Sequence, residues 1–178
     1  MPATADTWSR WRVRMGYPVA LAYLWLAEPT PRALAIGVVM AAMGLVVRAV
    51  AAGHLRKHEA LSTSGPYTFT RNPLYFGSAL LAAGFLLAGH SWAAAILVGA
   101  YFALFYPAVM KREEQELRER YGSAFAEYAA RVPLFWPRLV PHGSAGEKFS
   151  WMLYRRNREY QAALGVLAGV ALLWLKMR

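Results

Sequence analysis

The stretch Gly65–Tyr75, GPYTFTRNPLY, is a polar turn that opens directly into the apolar run 73–89. Gly65, Pro66 and Pro73 break regular structure, and a proline at the start of a helix costs little because the first N–H groups have no intrahelical partner. Run 73–89 therefore reads as a helix that enters hydrocarbon at Pro73 and ends at a tight Gly89-His90 turn. A second apolar run, Ser91 to Met110, returns from that turn and ends in the polar segment KREEQELRERYG, Lys111–Gly122. A hairpin of two spans puts both polar segments on one membrane face. They are expected to meet there and enclose a pocket.

Composition supports a membrane setting. Of the 178 residues, 57% are apolar, and the mean hydropathy is +0.24, above the usual range for a soluble domain. The net charge of +10 is spread between long apolar runs rather than gathered on one solvated face. That distribution favours a lipid surface over nucleic acid as the partner. With no cysteine, disulfides, thiolate nucleophiles, Cys-ligated zinc and iron–sulfur clusters are all excluded. The four histidines lack metal-binding spacing, so no metal is expected. His54, His58, His90 and His142 read as ordinary exposed side chains in loops or at span ends.

Five spans account for the chain, and the fold class expected is an all-α polytopic membrane helix bundle with cytosolic amphipathic helices, forming a single domain over 1–178. Thr7–Arg14, TWSRWRVR, mixes Trp with Arg as interfacial anchors do, and no cleavable signal peptide is apparent. Met15 to Ala27 is short for a hydrocarbon core of about 30 Å. It spans if the helix starts near Trp11; the alternative is a re-entrant hairpin. After Pro29-Thr30-Pro31, Ala33 to Gly53 is a full-length span carrying Arg48. Beyond Met110 the fourth helix should continue to Tyr121, since the segment lacks a breaker before Gly122. Ser123 can then cap a short amphipathic helix to Arg131, ended by Pro133 and Pro137. Pro141 to Ala145 is loop, Glu147 to Arg158 is an aromatic and basic interfacial segment, and Tyr160 to Leu175 is the fifth span.

Orientation follows from the basic residues. With the N-terminus in the cytosol, sixteen of the twenty Lys and Arg lie inside, three lie outside and Arg48 lies within a span. The pocket then faces the cytosol, with the chain integral to the cell's inner or plasma membrane.

Several residues carry chemistry beside a plainer alternative. At about 100° per residue from Leu117, Glu113 and Glu114 lie roughly 40° and 60° away on opposite flanks of one face, with Tyr121 about 40° away. Two carboxylates there can hold a cationic, hydroxyl-rich ligand; the plainer account is a solvated helix with i,i+4 pairs Glu114–Arg118 and Glu116–Arg120. Arg71-Asn72-Pro73 sits at a helix N-terminus, where the dipole and a guanidinium favour an anion, although an arginine at a membrane boundary needs no ligand. Tyr67 and Tyr75 suit either a ligand or an interface. Arg48 can snorkel to the interface or hold a substrate anion. The Ala- and Gly-rich spans, with Gly77, Gly84 and Gly99, suggest close helix packing.

Combined in order, these segments form a GxYxxxRxPxYxG stretch (Gly65, Tyr67, Arg71, Pro73, Tyr75, Gly77), an apolar hairpin, and a second motif. That second motif comprises Arg112, Glu113, Glu114, Leu117, Tyr121, Gly122, Phe125, Tyr128, Val132, Pro133 and Pro137. The arrangement over about 53–137 resembles the isoprenylcysteine carboxyl methyltransferase and phospholipid methyltransferase superfamily of integral membrane enzymes. It departs at Asn72, where that superfamily usually has histidine; an amide can donate and accept but cannot carry a proton near neutral pH.

The resemblance implies S-adenosylmethionine as cofactor, bound by Tyr67, Arg71, Asn72, Pro73, Tyr75 and Gly77 from the first motif, and by Glu113, Glu114, Tyr121 and Tyr128 from the second. Glu113, Glu114 or a tyrosine would serve as base where the acceptor is an amine, and Arg48 or Arg112 would hold an anionic one. The implied acceptor is lipophilic or amphipathic: a lipid amine, an isoprenoid carboxylate or a smaller hydrophobic molecule. Two rivals stand beside this reading: a nicotinamide-dependent sterol-type reductase and a non-enzymatic membrane scaffold.

Overall fold

A computed structural model describes residues 5–57, 59–142 and 146–178; for residues 5–10, 12 and 13 it describes the backbone alone. His58, part of the 141–145 loop, and the Trp8, Arg10 and Arg12 side chains of the proposed N-terminal anchor lie outside the described residues. Among those described there are six α-helices and no strand. They are α1 (Ala5–Leu26), α2 (Pro31–His54), α3 (Pro73–Gly89), α4 (Trp92–Arg131), α5 (Trp151–Arg156) and α6 (Tyr160–Lys176), with a 3₁₀ turn at Gly65–Thr68.

The helix boundaries have local causes. Thr30 caps α2, accepting from the Ala33 N–H at 3.2 Å, with Pro31 in the first helical position. Ser91 caps α4, and His90 leaves α3 in the left-handed conformation (φ +46°) that lets the chain reverse within two residues. Helix α1 runs unbroken for 22 residues, starting before Trp11, so the re-entrant alternative falls away. Helix α4 passes through Met110 without interruption and breaks at Gly122, where φ +52° and ψ −121° turn the 123–131 segment onto a new axis.

α2 and α4 are long and apolar enough to cross a membrane, while α3 and α6 are apolar but 17 residues long. At 1.5 Å per residue those two reach about 25 Å, short of the ~30 Å hydrocarbon core. Large apolar side chains point outward from these helices, including Trp92 at 87% exposure, Ile96 and Leu167, as suits a helix bundle facing lipid.

Small residues fill the interior. α2 and α3 pack along a seam of Gly37, Ala41 and Gly44 against Gly77, Gly84 and Ala88. A Cβ placed on Gly84 would meet the Ala41 nitrogen at 2.6 Å and the Gly37 carbonyl at 2.7 Å. Backbones this close are the reason for glycine there. Gly77 belongs to the seam, with a virtual Cβ 2.6 Å from the Arg48 side chain.

The two ends of the bundle are tied separately. At one end the Glu28 N–H donates to the Gly89 carbonyl at 2.6 Å, and Lys176 Nζ donates to the Leu24 and Trp25 carbonyls at the end of α1. At the other, the Ser150 N–H donates to the Gly53 carbonyl at 3.0 Å, and Asn157 Nδ2 donates to the Ala52 and Leu55 carbonyls, each at 2.9 Å. The segment before α5 thus covers the end of α2. This corrects the expectation for His54: it is buried, its Nδ1 lies 2.8 Å from the Val50 carbonyl oxygen, and its ring packs against Phe149 and Gly65. His90 is exposed, and the half-buried His142 donates its backbone N–H to the Thr68 carbonyl.

Candidate functional site

The two polar segments come together at the end of the bundle that carries the α2–α3 connection. The backbone N–H of Arg71 donates to the Pro133 carbonyl at 2.9 Å, and that of Arg138 to the Phe69 carbonyl at 3.0 Å. Thr70 Oγ1 donates towards the Leu134 and Phe135 carbonyls, and Asn72 Nδ2 donates to the Leu134 carbonyl at 3.0 Å. Asn72 thus joins the two motifs with an uncharged amide, a task that needs no titratable group.

The break at Gly122 makes this possible. It turns 123–131 back towards Arg71, whose Nη1 donates to the Ala129 and Val132 carbonyls at 2.6 and 2.8 Å. These are last-turn carbonyls of α4 without an intrahelical partner, so Arg71 serves as a C-cap supplied from elsewhere in the chain.

The carboxylates stand beside this junction. Arg71 Nε lies 2.5 Å from Glu114 Oε1, with the two side chains 14% and 19% exposed. The N–H is not aimed at that oxygen, and neither atom has a hydrogen-bond partner among the described residues. The contact is an ion pair in which these two atoms keep unused hydrogen-bonding capacity while Arg71 Nη1 is committed to the α4 end. One turn away, the Tyr75 hydroxyl donates to Glu113 Oε1 at 2.5 Å. Tyr75 also stands edge-on to Tyr106 of α4 at 5.5 Å.

A cavity of about 510 Å³ opens between these groups, a size that suits a nucleoside-sized ligand. Its lining includes Arg48, Tyr67, Arg71, Asn72, Pro73 and Tyr75 on one side and Glu113, Glu114, Leu117, Tyr121 and Tyr128 on the other. Pro73 and its neighbours form the N-terminus of α3, which has no side-chain cap. Arg112 and Gly77 are not in the lining. Arg112 pairs with Glu116 along the helix at 2.9 Å, and Gly77 is in the α2–α3 seam. This helix carries the i,i+4 contacts Arg112–Glu116 and Gln115–Glu119, while Glu114 faces Arg71.

Two tyrosines shape the wall. Tyr128 donates its hydroxyl to the Tyr67 carbonyl at 2.7 Å. Tyr67 is 6% exposed, and its hydroxyl has no hydrogen-bond partner among the described residues. Burial holds both phenols above their ordinary titration range, so both stay neutral donors.

Arg48 does not run free to the interface. Its Nε and Nη2 donate to both oxygens of Glu159 at 2.6 and 3.0 Å, and its Nη1 donates to Ser78 Oγ and the Leu74 carbonyl. Sequence reasoning missed Glu159, although a signal existed. An arginine inside a span calls for a partner at its depth, and Glu159 is the one carboxylate side chain after Glu147, placed at the start of the last apolar run. The 55–62 connection, which closes one side of the cavity, also escaped notice.

The chemistry of this donor set can be matched to known families. The family model described as phospholipid methyltransferase matches residues 32–124, more than half of the chain. The chain belongs to the phospholipid methyltransferase family. Among curated relatives of this family member, the cobalt-zinc-cadmium resistance protein CzcN of Cupriavidus metallidurans is 38% identical over 112 residues, covering 62% of this chain and 51% of the relative. The nickel-cobalt-cadmium resistance protein NccN of Alcaligenes xylosoxydans xylosoxydans is 36% identical over 115 residues, covering 65% of this chain and 53% of the relative. The chain thus spans about half the length of each relative it matches. No solved structure gives a significant match.

Proposed function

We propose that this membrane methyltransferase uses S-adenosylmethionine to methylate a lipophilic or amphipathic acceptor at the cytosolic face of the bilayer. The observation that carries the reading is the convergence of Arg71–Glu114 and Tyr75–Glu113 on one cavity beside the uncapped N-terminus of α3.

The donor set fits the cofactor's parts. A carboxylate suits the α3 N-terminus and the Arg71 guanidinium. Glu113 and Glu114 can accept from ribose hydroxyls or an ammonium, and Glu114 Oε1 has that capacity unused. Tyr75, Tyr121 and the neutral phenol of Tyr67 offer ring faces and a hydroxyl donor.

When bound, S-adenosylmethionine supplies an electrophilic methyl: its carbon–sulfur bond breaks as a carbon–oxygen or carbon–nitrogen bond forms, leaving a neutral thioether. The chain's own contribution is alignment and exclusion of water by the buried aromatic wall. A carboxylate acceptor arrives ionised and needs no base. An amine acceptor must lose a proton, for which Glu113 and Glu114, both in the cavity lining, are the candidate bases.

The sixteen-to-three excess of basic residues at the cavity's end of the bundle supports a cytosolic site and a cytosolic N-terminus. The names of the two relatives attach them to cobalt, zinc, cadmium and nickel resistance. From those names we take a setting, a methylation in the membrane that accompanies metal resistance.

The test uses purified protein in detergent, methyl-labelled S-adenosylmethionine and a total lipid extract of the source cells, followed by identification of the labelled product. Label in a lipid-soluble acceptor is expected, together with binding of S-adenosylhomocysteine and none of NADPH. Tight NADPH binding without methyl transfer would transfer the site to the reductase class.

A further inference from the structure

Resting on the methyl-donor reading above, we propose that Glu159 is a positioning residue: it neutralises Arg48 so that the cavity wall it stands behind can face a cationic sulfonium. Glu159 is 7% exposed, and both its oxygens accept from one guanidinium. Arg48, Leu74 and Ser78, the three residues linked by that guanidinium, all line the cavity, whereas Glu159 does not.

The chain adopts a strained turn to deliver this carboxylate. Arg158 sits at φ +54°, a left-handed conformation that is unfavourable for a residue with a side chain. Glu159 then begins α6 without capping it, because its carboxylate is turned to Arg48. Glu159 lies outside the family-matched residues 32–124, so the family match assigns it nothing.

The consequence is electrostatic. Arg48 and Glu159, bound to each other through two hydrogen bonds, act in opposite senses on the Tyr67 phenol in the cavity wall, so each offsets the other there. Remove the carboxylate's charge and Arg48 becomes an uncompensated cation in a desolvated wall. The sulfonium of S-adenosylmethionine would be repelled, while the thioether of S-adenosylhomocysteine carries no charge to repel. A merely structural role for Glu159 would weaken both ligands alike.

Calorimetric titration of the full-length protein in detergent with each ligand reads this directly. Glu159→Gln is expected to weaken S-adenosylmethionine about 3- to 10-fold more than S-adenosylhomocysteine. Arg48→Gln, which leaves the opposite charge unpaired, should move the ratio the other way, and it serves if Glu159→Gln does not fold. The double variant Arg48→Gln/Glu159→Gln should return the ratio to within about twofold of the parent. An unchanged ratio in both single variants, or a shift of the same sign in both, overturns the assignment of Glu159 while leaving the methyl-donor reading intact. A folded parent that binds neither ligand overturns both.

Discussion

Replacing Arg71 with alanine should damage the fold more than the site. Sequence reasoning treats Arg71 as a ligand for the cofactor's carboxylate, but its Nη1 also holds the Ala129 and Val132 carbonyls at 2.6 and 2.8 Å. Hydrogen bonds from a charged donor are worth about 1.5–3 kcal/mol each. The substitution also strands Glu114, 19% exposed, without its counter-ion, and breaking such a pair from one side costs about 3–5 kcal/mol. These contributions share one side chain and do not add, so a net loss of about 3–5 kcal/mol is expected.

Glu114→Gln is the informative partner. It leaves Arg71 on its two carbonyls, so the loss of stability should be only about 1 kcal/mol, while the loss of a charged acceptor from the cavity weakens S-adenosylhomocysteine by about 1–3 kcal/mol. Arg118→Ala, exposed and not part of the cavity lining, is the control for both measurements. Thermal unfolding in detergent gives stability, and calorimetry gives affinity. The reasoning fails if Arg71→Ala melts with the parent, or if Glu114→Gln binds S-adenosylhomocysteine as tightly as Arg118→Ala does.

Further outcomes test the frame around the site. Gly84→Leu must push apart two backbones, because a Cβ there already meets the Ala41 nitrogen at 2.6 Å; lower yield and a melting point below that of a lipid-facing Leu164→Ala control are expected. Gly122→Ala meets no neighbouring atom within 4 Å, so its cost is purely that of φ +52°, about 1–3 kcal/mol. Faster amide exchange over 123–131 than in the parent would report it. Arg156 holds the Glu59 carboxyl below its ordinary value of 4.5, so this pair stabilises the 55–62 connection above that pH and releases it as pH falls further. Amide protection factors at 59–62, which divide out the intrinsic pH dependence of exchange, should fall on acidification in the parent and depend less on pH in Glu59→Gln.

The framework of the site was legible because its signals are local. Pro73 at a helix start, the Gly89-His90 reversal and the run of helix formers up to Gly122 each set their own boundary, and a hairpin of two spans brings the flanking polar segments together. What escaped was tertiary. The burial of His54 depends on Phe149, almost a hundred residues on, and nothing near His54 announces it. The capping role of Arg71 required knowing where the last turn of α4 would end. Arg112 looked suited to an anionic acceptor from its place in the motif, yet its guanidinium is taken up by Glu116 one turn on and it does not line the cavity. Glu159 was hidden among arginines, in a segment whose charge reads as a membrane-surface signature.

The distance from Met110 to Gly122 has the character of a gauge. Each residue of a helix advances its axis by about 1.5 Å and turns it by about 100°, so one residue inserted between 111 and 121 would swing everything beyond it by more than a quarter circle. The 123–131 arm would then be aimed away from the guanidinium that holds its end. Length variation among natural versions of this chain should accordingly be rare in that interval.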